Sequence, residues 1–248
     1  MPAPLTRAYL VASGQFHDID HARLELLKLF AEHPSIRVTV AKDYSDIAAI
    51  QASDFLVTYT CNVVPTEEQQ KGLRAYIESG KRWFALHGTN SILEFLKEGV
   101  NAPEIAPIFM ETLGTQFIAH PPIMPFTVKT TDPTHELVKG IGEFETDDEL
   151  YLCRIHGKIH TLLHTNFDGE ATGFIEKTWN DGQPRPVYYI NKVGKGEVLY
   201  LNLGHCRGHW DMAGIVDYYP KIEKGSWDKP QYYELLRRAL KYCLDGVR

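Results

Sequence analysis

Lys81-Arg82-Trp83-Phe84-Ala85-Leu86-His87-Gly88-Thr89-Asn90-Ser91 reads as a buried strand that stops on a histidine. A turn of small residues follows, and Ser91 is placed to open a helix through Ile92, Leu93, Phe95 and Leu96. In an open α/β sheet, ligands bind where strands give way to helices. A titratable side chain at such a turn, beside free helix N–H groups, sits where chemistry is done. His87 is therefore the centre of the candidate site.

Outward from this stretch the chain alternates. Ala8 to Gly14 is a first strand, and Gln15-Phe16-His17-Asp18 its strand-to-helix loop. Asp20 is placed to cap a helix with Leu24, Leu27 and Phe30 on one face, ending at His33-Pro34. Ile36 to Val40 is a second strand, and a short helix around Ile47 and Ile50 leads to a third, Asp54 to Thr60. Such near-continuous apolar runs suit strands covered on both faces. Thr66-Glu67-Glu68-Gln69 is a capping box, and Gly80 ends that helix. Four β-α units with short links predict one doubly wound, mainly parallel α/β sheet.

The second half differs. Asn101 to Gly114 reads as a helix, Phe126 to Thr130 as a strand, and Asp147 to Ile155 as an acid-led strand. Pro186 to Ile190 and Val198 to Asn202 flank a Gly194-Lys195-Gly196 turn, a hairpin signal. Residues 207–229 are irregular and aromatic, and Asp228 and Pro230 open a last amphipathic helix. Without a linker or repeat, residues 1–248 read as one domain, the second half decorating the first.

A net charge of −6 argues against a nucleic-acid partner. No stretch approaches a membrane span, and Met1 to Gly14 lacks the features of a signal peptide. Four scattered cysteines without a CxxC pair suit reduced thiols in the cytoplasm. No P-loop or GxGxxG is present, so no nucleotide cofactor is expected.

Three later segments are expected to join His87. His120 is stiffened by Pro121-Pro122. Asp147-Asp148-Glu149 sets three acids side by side, a repulsion that a nearby cation would relieve, with Glu149 the acid aimed inward. Gly204-His205 follows an apolar strand. His87, His120, Glu149 and His205 are thus the candidate catalytic groups. Three imidazoles and a carboxylate also make a ligand set for Zn²⁺, Mn²⁺ or Fe²⁺. His17, Asp18, Asn90, Asp148, Tyr151, His209 and Trp210 are candidate substrate contacts.

Leu86-His87-Gly88, Gly114-x-x-Phe117-x-x-His120, Asp132-Pro133-x-x-His135, Asp148-Glu149-Leu150-Tyr151 and Gly204-His205 occur in order. Together they resemble the trehalose-utilisation (ThuA-like) family of the class I glutamine-amidotransferase-like superfamily. The resemblance implies a flavodoxin-like sheet and a role in carbohydrate metabolism. Amidotransferase-like relatives carry a nucleophilic cysteine at the strand–helix elbow, where this chain has His87. An imidazole cannot form the thioester of glutamine hydrolysis, so no glutaminase activity is expected.

Two functions follow as expectations. One is an enzyme acting on a sugar or keto-sugar by metal-assisted or His/Glu acid–base chemistry, through isomerisation, elimination or hydrolysis. The other is a non-catalytic sugar-binding module in which Trp210, Tyr218, Tyr219 and Trp227 stack on sugar faces. A sheet edge or the aromatic segment offers a surface for a homo-oligomer.

Overall fold

A computed structural model describes residues 5–247; the first four residues of the Met1–Gly14 stretch lie outside it. The first half follows the expected alternation. Strand β1 (Thr6–Gly14) leads to helix α1 (Ile19–Ala31), β2 (Ile36–Ala41), α2 (Ile47–Gln51), β3 (Phe55–Cys61), α3 (Glu67–Glu78) and β4 (Arg82–Leu86). A small hairpin, β5 (Glu94–Leu96) and β6 (Gly99–Asn101), precedes α4 (Pro107–Leu113) and β7 (Thr115–Ala119). Then come β8 (Met124–Thr130), β9 (Phe144–Asp148), β10 (Leu152–Ile155) and β11 (Ile159–Asn166). The short pair β12 (Gly169–Glu170) and β13 (Thr178–Trp179) is followed by the long hairpin β14 (Pro184–Val193) and β15 (Gly196–Leu201). Helix α5 (Pro230–Asp245) closes the chain.

The main sheet has nine strands in the order β2-β1-β3-β4-β15-β14-β11-β8-β9. β2, β1, β3, β4 and β15 are mutually parallel, in a flavodoxin-like order. From β14 onward the pairs are antiparallel. The expected hairpin is present, and its second strand is itself the fifth parallel strand. Helices α1 and α5 cover one face, with Leu26, Phe30, Leu236 and Leu240 in that core. Helices α2, α3 and α4 cover the other, with Ile50, Leu73 and Phe109. The sheet is therefore doubly wound.

Four expectations are corrected. Ser91 opens no helix: the helical turn is His87–Asn90, a 3-10 turn, and Ser91 is already extended. Phe95 and Leu96 then lie in the hairpin and are exposed, because Gly99 turns the chain back and Phe95 packs on Phe16 rather than the core. The cap of α1 is Asp18, which accepts from His21 N, and the buried face is Ala22, Leu26, Leu29 and Phe30, leaving Leu24 exposed. That face keeps the i, i+4, i+7 and i+8 spacing of one helix side. The expected helix from Asn101 begins only at Pro107, after Ala106 in a left-handed conformation. The strand expected from Asp147 to Ile155 breaks into β9 and β10. Glu149, Leu150 and Tyr151 form the break, which frees Glu149 and Tyr151 to turn toward the carboxyl edge.

That edge is where the loops converge. Gly14 pairs with Cys61, and Leu86 with both Tyr59 and Leu201, so β1, β3, β4 and β15 finish side by side. A third, smaller core of Phe117, Ile118, Leu150, Leu152 and Phe174 roofs the space above them.

Candidate functional site

Each parallel strand end contributes one piece. His17 follows β1, Cys61 ends β3, His87 follows β4 and His205 lies four residues past β15. His87 has φ +41°, a left-handed conformation that a non-glycine residue adopts only when its surroundings hold it there. Its carbonyl accepts from the Tyr200 hydroxyl (2.6 Å), which in turn accepts from Asn90 N (2.7 Å). Gly88 must be glycine: a Cβ there would meet Thr60 O at 2.7 Å. The elbow is thus pressed onto the end of β3.

Three imidazoles and one carboxylate converge in front of it. The ligand-capable atoms of His17, His87, Glu149 and His205 lie within 4.8 Å of one another, and all four residues are buried. Their hydrogen bonds fix which ring nitrogen faces inward. His87 Nδ1 is 2.8 Å from Asn202 O, and His17 Nδ1 is 3.1 Å from Gln15 O. A carbonyl can only accept, so each Nδ1 carries the proton and each Nε2 offers a lone pair. Those two Nε2 atoms face each other at 2.9 Å. His205 Nε2 is 2.8 Å from Glu223 Oε2, which leaves Nδ1 facing Glu149 Oε2 at 3.2 Å without a well-formed hydrogen bond. Glu149 Oε2 also lies 3.5 Å from His87 Nε2 and 3.6 Å from His17 Nε2. Opposed lone pairs and an orphaned buried nitrogen are costly unless a cation lies between them. An outer acceptor behind each ring is also how metal-binding histidines are held. The residues fit a divalent metal.

The charges suit this. Burial drives His17 down to about 3, against the pull of Glu149, so its ring is neutral. Burial also works against charge on His205, but Glu149 and Glu223 outweigh it and raise it to about 9. Burial alone would raise Glu149; His205, His120 and His17 instead hold it well below the usual carboxylate range. Without metal, His205 keeps a second proton beside the Glu149 carboxylate, and a cation would displace it.

His120 stands further out. Its Nδ1 donates to Pro121 O (2.8 Å), and its Nε2 is 3.7 Å from Glu149 Oε1 with a quarter of the side chain exposed. The set that closes around one point therefore contains His17, expected only as a substrate contact, and leaves His120 at the rim. Arg207 NH2 donates to Glu149 Oε1 (3.1 Å), and Arg207 NH1 to Glu223 (3.0 Å). Arg207 and Glu223 sit in a segment without local pattern, and only topology connects them to the site. A cavity of about 280 Å³ opens above the cluster. Its walls are Phe16, Phe95, Phe117, Phe174 and Met212, and its floor includes His17, Glu149, Tyr151 and Ser91.

The other expected contacts divide. Tyr151 is in the cavity, its hydroxyl 3.2 Å from His87 Nε2. Asp18 caps α1. Asn90 lies behind the elbow, donating to Thr115 Oγ1 (2.7 Å). Asp148 is buried away from the cavity and accepts from the backbone N–H groups of Glu149, Gly204, His205 and Ser226 and from the Ser226 hydroxyl. The three acids relieve their repulsion by geometry: Asp147 points to solvent, Asp148 to these donors and Glu149 to the histidines. Trp210 is 70% exposed and meets Tyr218 edge to face, and Tyr218 stacks on His209, all outside the cavity, while Trp227 is buried in the core. Cys206 is packed against Tyr59, and burial pushes its thiol up to about 12, far from a working nucleophile.

Two solved structures share the fold over nearly the whole chain. A ThuA-like protein from Bacteroides uniformis aligns with TM-score 0.68 and 17% identity over 98% of this chain and 93% of its own. One from Parabacteroides merdae aligns with TM-score 0.66 and 16% identity over 98% and 91%. A cytoplasmic protein from Salmonella typhimurium is more distant, with TM-score 0.53 and 12% identity over 96% and 98%. No curated protein matches the sequence. Among the described residues no helix is long and apolar enough to cross a membrane. The sequence pattern of the trehalose utilisation family, in contrast, matches residues 8–218, nearly all of the α/β sheet and every residue around the cluster except Glu223, and the chain belongs to that ThuA family.

Proposed function

We propose that the protein is a metal-dependent enzyme that moves a proton on a sugar or keto-sugar. The observation that carries this is the convergence of His17 Nε2, His87 Nε2 and His205 Nδ1 on the Glu149 carboxylate, at the floor of the cavity. A binding module needs no such convergence. Zn²⁺, Mn²⁺ or Fe²⁺ held there would polarise a substrate oxygen or activate water. His120 is the acid–base group: its Nδ1–H is committed to Pro121 O, so Nε2 is free to take a proton from a molecule in the cavity. Arg207 holds Glu149 in place by donating to its Oε1. The phenylalanine walls suit the apolar face of a sugar ring, and the family's link to trehalose utilisation supports a carbohydrate substrate. In isomerisation and elimination that proton comes from the C–H bond beside a carbonyl, and in hydrolysis it comes from the attacking water. Free, mostly buried cysteines support a cytoplasmic setting.

The test is proton exchange. The purified protein, loaded with Mn²⁺ or Zn²⁺, is incubated with sugars and keto-sugars in D₂O. Deuterium should enter the carbon beside the carbonyl, or product should form, and both should vanish on chelation and in Glu149→Gln. Turnover that survives both treatments would sink the metal version. Sugar binding without exchange or turnover would leave a binding module.

A further inference from the structure

We propose that Tyr151 and Ser91 form a pole that binds the substrate oxygen beside the metal, an oxygen that gains negative charge as the proton leaves. The inference rests on the metal reading of the cluster and adds a ligand contact to it. Tyr151 is clamped, its ring centroid 4.4 Å from Phe117 and 4.5 Å from His87. Its hydroxyl makes one well-formed hydrogen bond, to His87 Nε2 at 3.2 Å. Because His87 Nδ1–H is committed to Asn202 O, that nitrogen is an acceptor and the phenol is the donor. A cation bound by His87 takes the same lone pair. The phenol then loses its acceptor while its ring stays fixed, so the O–H is left aimed beside the cation. The Ser91 hydroxyl beside it and an oxygen in an open coordination position are then the acceptors within its reach.

Ser91, whose side chain lies beside the Tyr151 hydroxyl, is the second observation. It is 2% exposed and lines the same cavity, and its hydroxyl oxygen has no well-formed hydrogen bond. Its position is fixed by backbone bonds, Ser91 N to Gly88 O (2.9 Å) and Asn62 N to Ser91 O (2.8 Å). An unpartnered buried hydroxyl on a rigid turn is a donor waiting for a ligand. Two neutral donors beside a cation are the arrangement that stabilises an enolate or alkoxide oxygen. The ligand class is therefore a small molecule presenting a carbonyl or hydroxyl oxygen to the metal, such as the carbonyl of an α-hydroxy ketone.

The test uses Co²⁺ as a visible probe and acetohydroxamate as a small chelating oxyanion. Wild-type protein loaded with Co²⁺ should change its visible spectrum on titration with acetohydroxamate. Tyr151→Phe should hold Co²⁺ about as tightly as wild type yet bind acetohydroxamate about 10- to 100-fold more weakly, the range for a hydrogen bond to a charged group. Ser91→Ala should weaken it about 3- to 10-fold, and this variant carries the test should Tyr151→Phe not fold. Acetohydroxamate affinity unchanged in both variants would overturn the proposal. So would equal losses of Co²⁺ and acetohydroxamate affinity in Tyr151→Phe, which would make Tyr151 a support for His87 only. A wild-type protein that binds Co²⁺ but not acetohydroxamate overturns the oxygen pole alone, whereas one that takes up no Co²⁺ overturns the metal reading beneath it.

Discussion

Replacing Asp148 by asparagine separates a positioning carboxylate from a substrate contact. Asp148 Oδ1 accepts from Glu149 N (2.8 Å) and His205 N (3.0 Å). Its Oδ2 accepts from Gly204 N (2.9 Å), Ser226 N (2.9 Å) and Ser226 Oγ (2.6 Å). One side chain thus ties the end of β9 to the turn carrying His205 and to the segment before α5. Gly204 is pinned there with φ +115°, where a Cβ would meet the Tyr232 hydroxyl at 2.2 Å. An asparagine offers one acceptor oxygen and an NH₂ group. In either orientation that NH₂ faces two backbone N–H groups, which lose their acceptor in a buried site. Each orphaned donor costs about 1–3 kcal/mol, so the variant should lose roughly 4 kcal/mol. For a chain of this size that lowers Tm by roughly 8–16 °C. Thermal and urea unfolding of metal-free protein measure it directly. A loss below about 1 kcal/mol, or a raised KM with unchanged stability, would refute the positioning role and return Asp148 to the substrate.

Metal uptake should release close to one proton at neutral pH, because His205, raised to about 9, must give one up to ligate. Calorimetry in buffers of different ionisation enthalpy counts it, and metal affinity should fall as pH drops below about 9. The folded-state value of His205 lies above its unfolded value, so its contribution to the metal-free protein is full below about pH 6.5 and is lost as pH rises through about 9. Unfolding at pH 6 and pH 10 checks the sign. His120→Ala should leave bound metal unchanged and lower turnover by about 10²- to 10⁴-fold, the worth of a general acid–base group. Trp210→Ala, at a position 70% exposed, should change stability by no more than about 0.5 kcal/mol and leave turnover intact.

The first half of the fold was legible because periodicity and punctuation agree there. The capping box at Thr66 and Gln69 and the apolar run of β3 are local signals, and both are present as expected. His87 was legible for the same reason, since a strand-ending histidine before Gly88 needs no distant partner to mark it. What failed depended on tertiary context. Ser91 looked like a cap, but the preceding four residues had already taken the helical turn. His17 was expected only as a substrate contact, because the strand order that sets the end of β1 beside that of β3 does not show how closely its ring approaches His87. Arg207 and Glu223 are brought to the site by an isolated backbone bridge between them, a contact no local pattern announces. Conversely, Trp210 drew notice as an aromatic in an irregular segment, a signal equally given by surface packing.

The central claim is that His17, His87, Glu149 and His205 hold one divalent metal ion. Metal analysis of protein purified without added metal, together with anomalous diffraction at the metal edge, tests it most directly. The account predicts about one ion per chain, centred between His17 Nε2, His87 Nε2, His205 Nδ1 and Glu149, and its loss in His17→Ala. A metal-free protein that also fails to take up Zn²⁺, Mn²⁺ or Fe²⁺, or an ion that stays in place in His17→Ala, would contradict it.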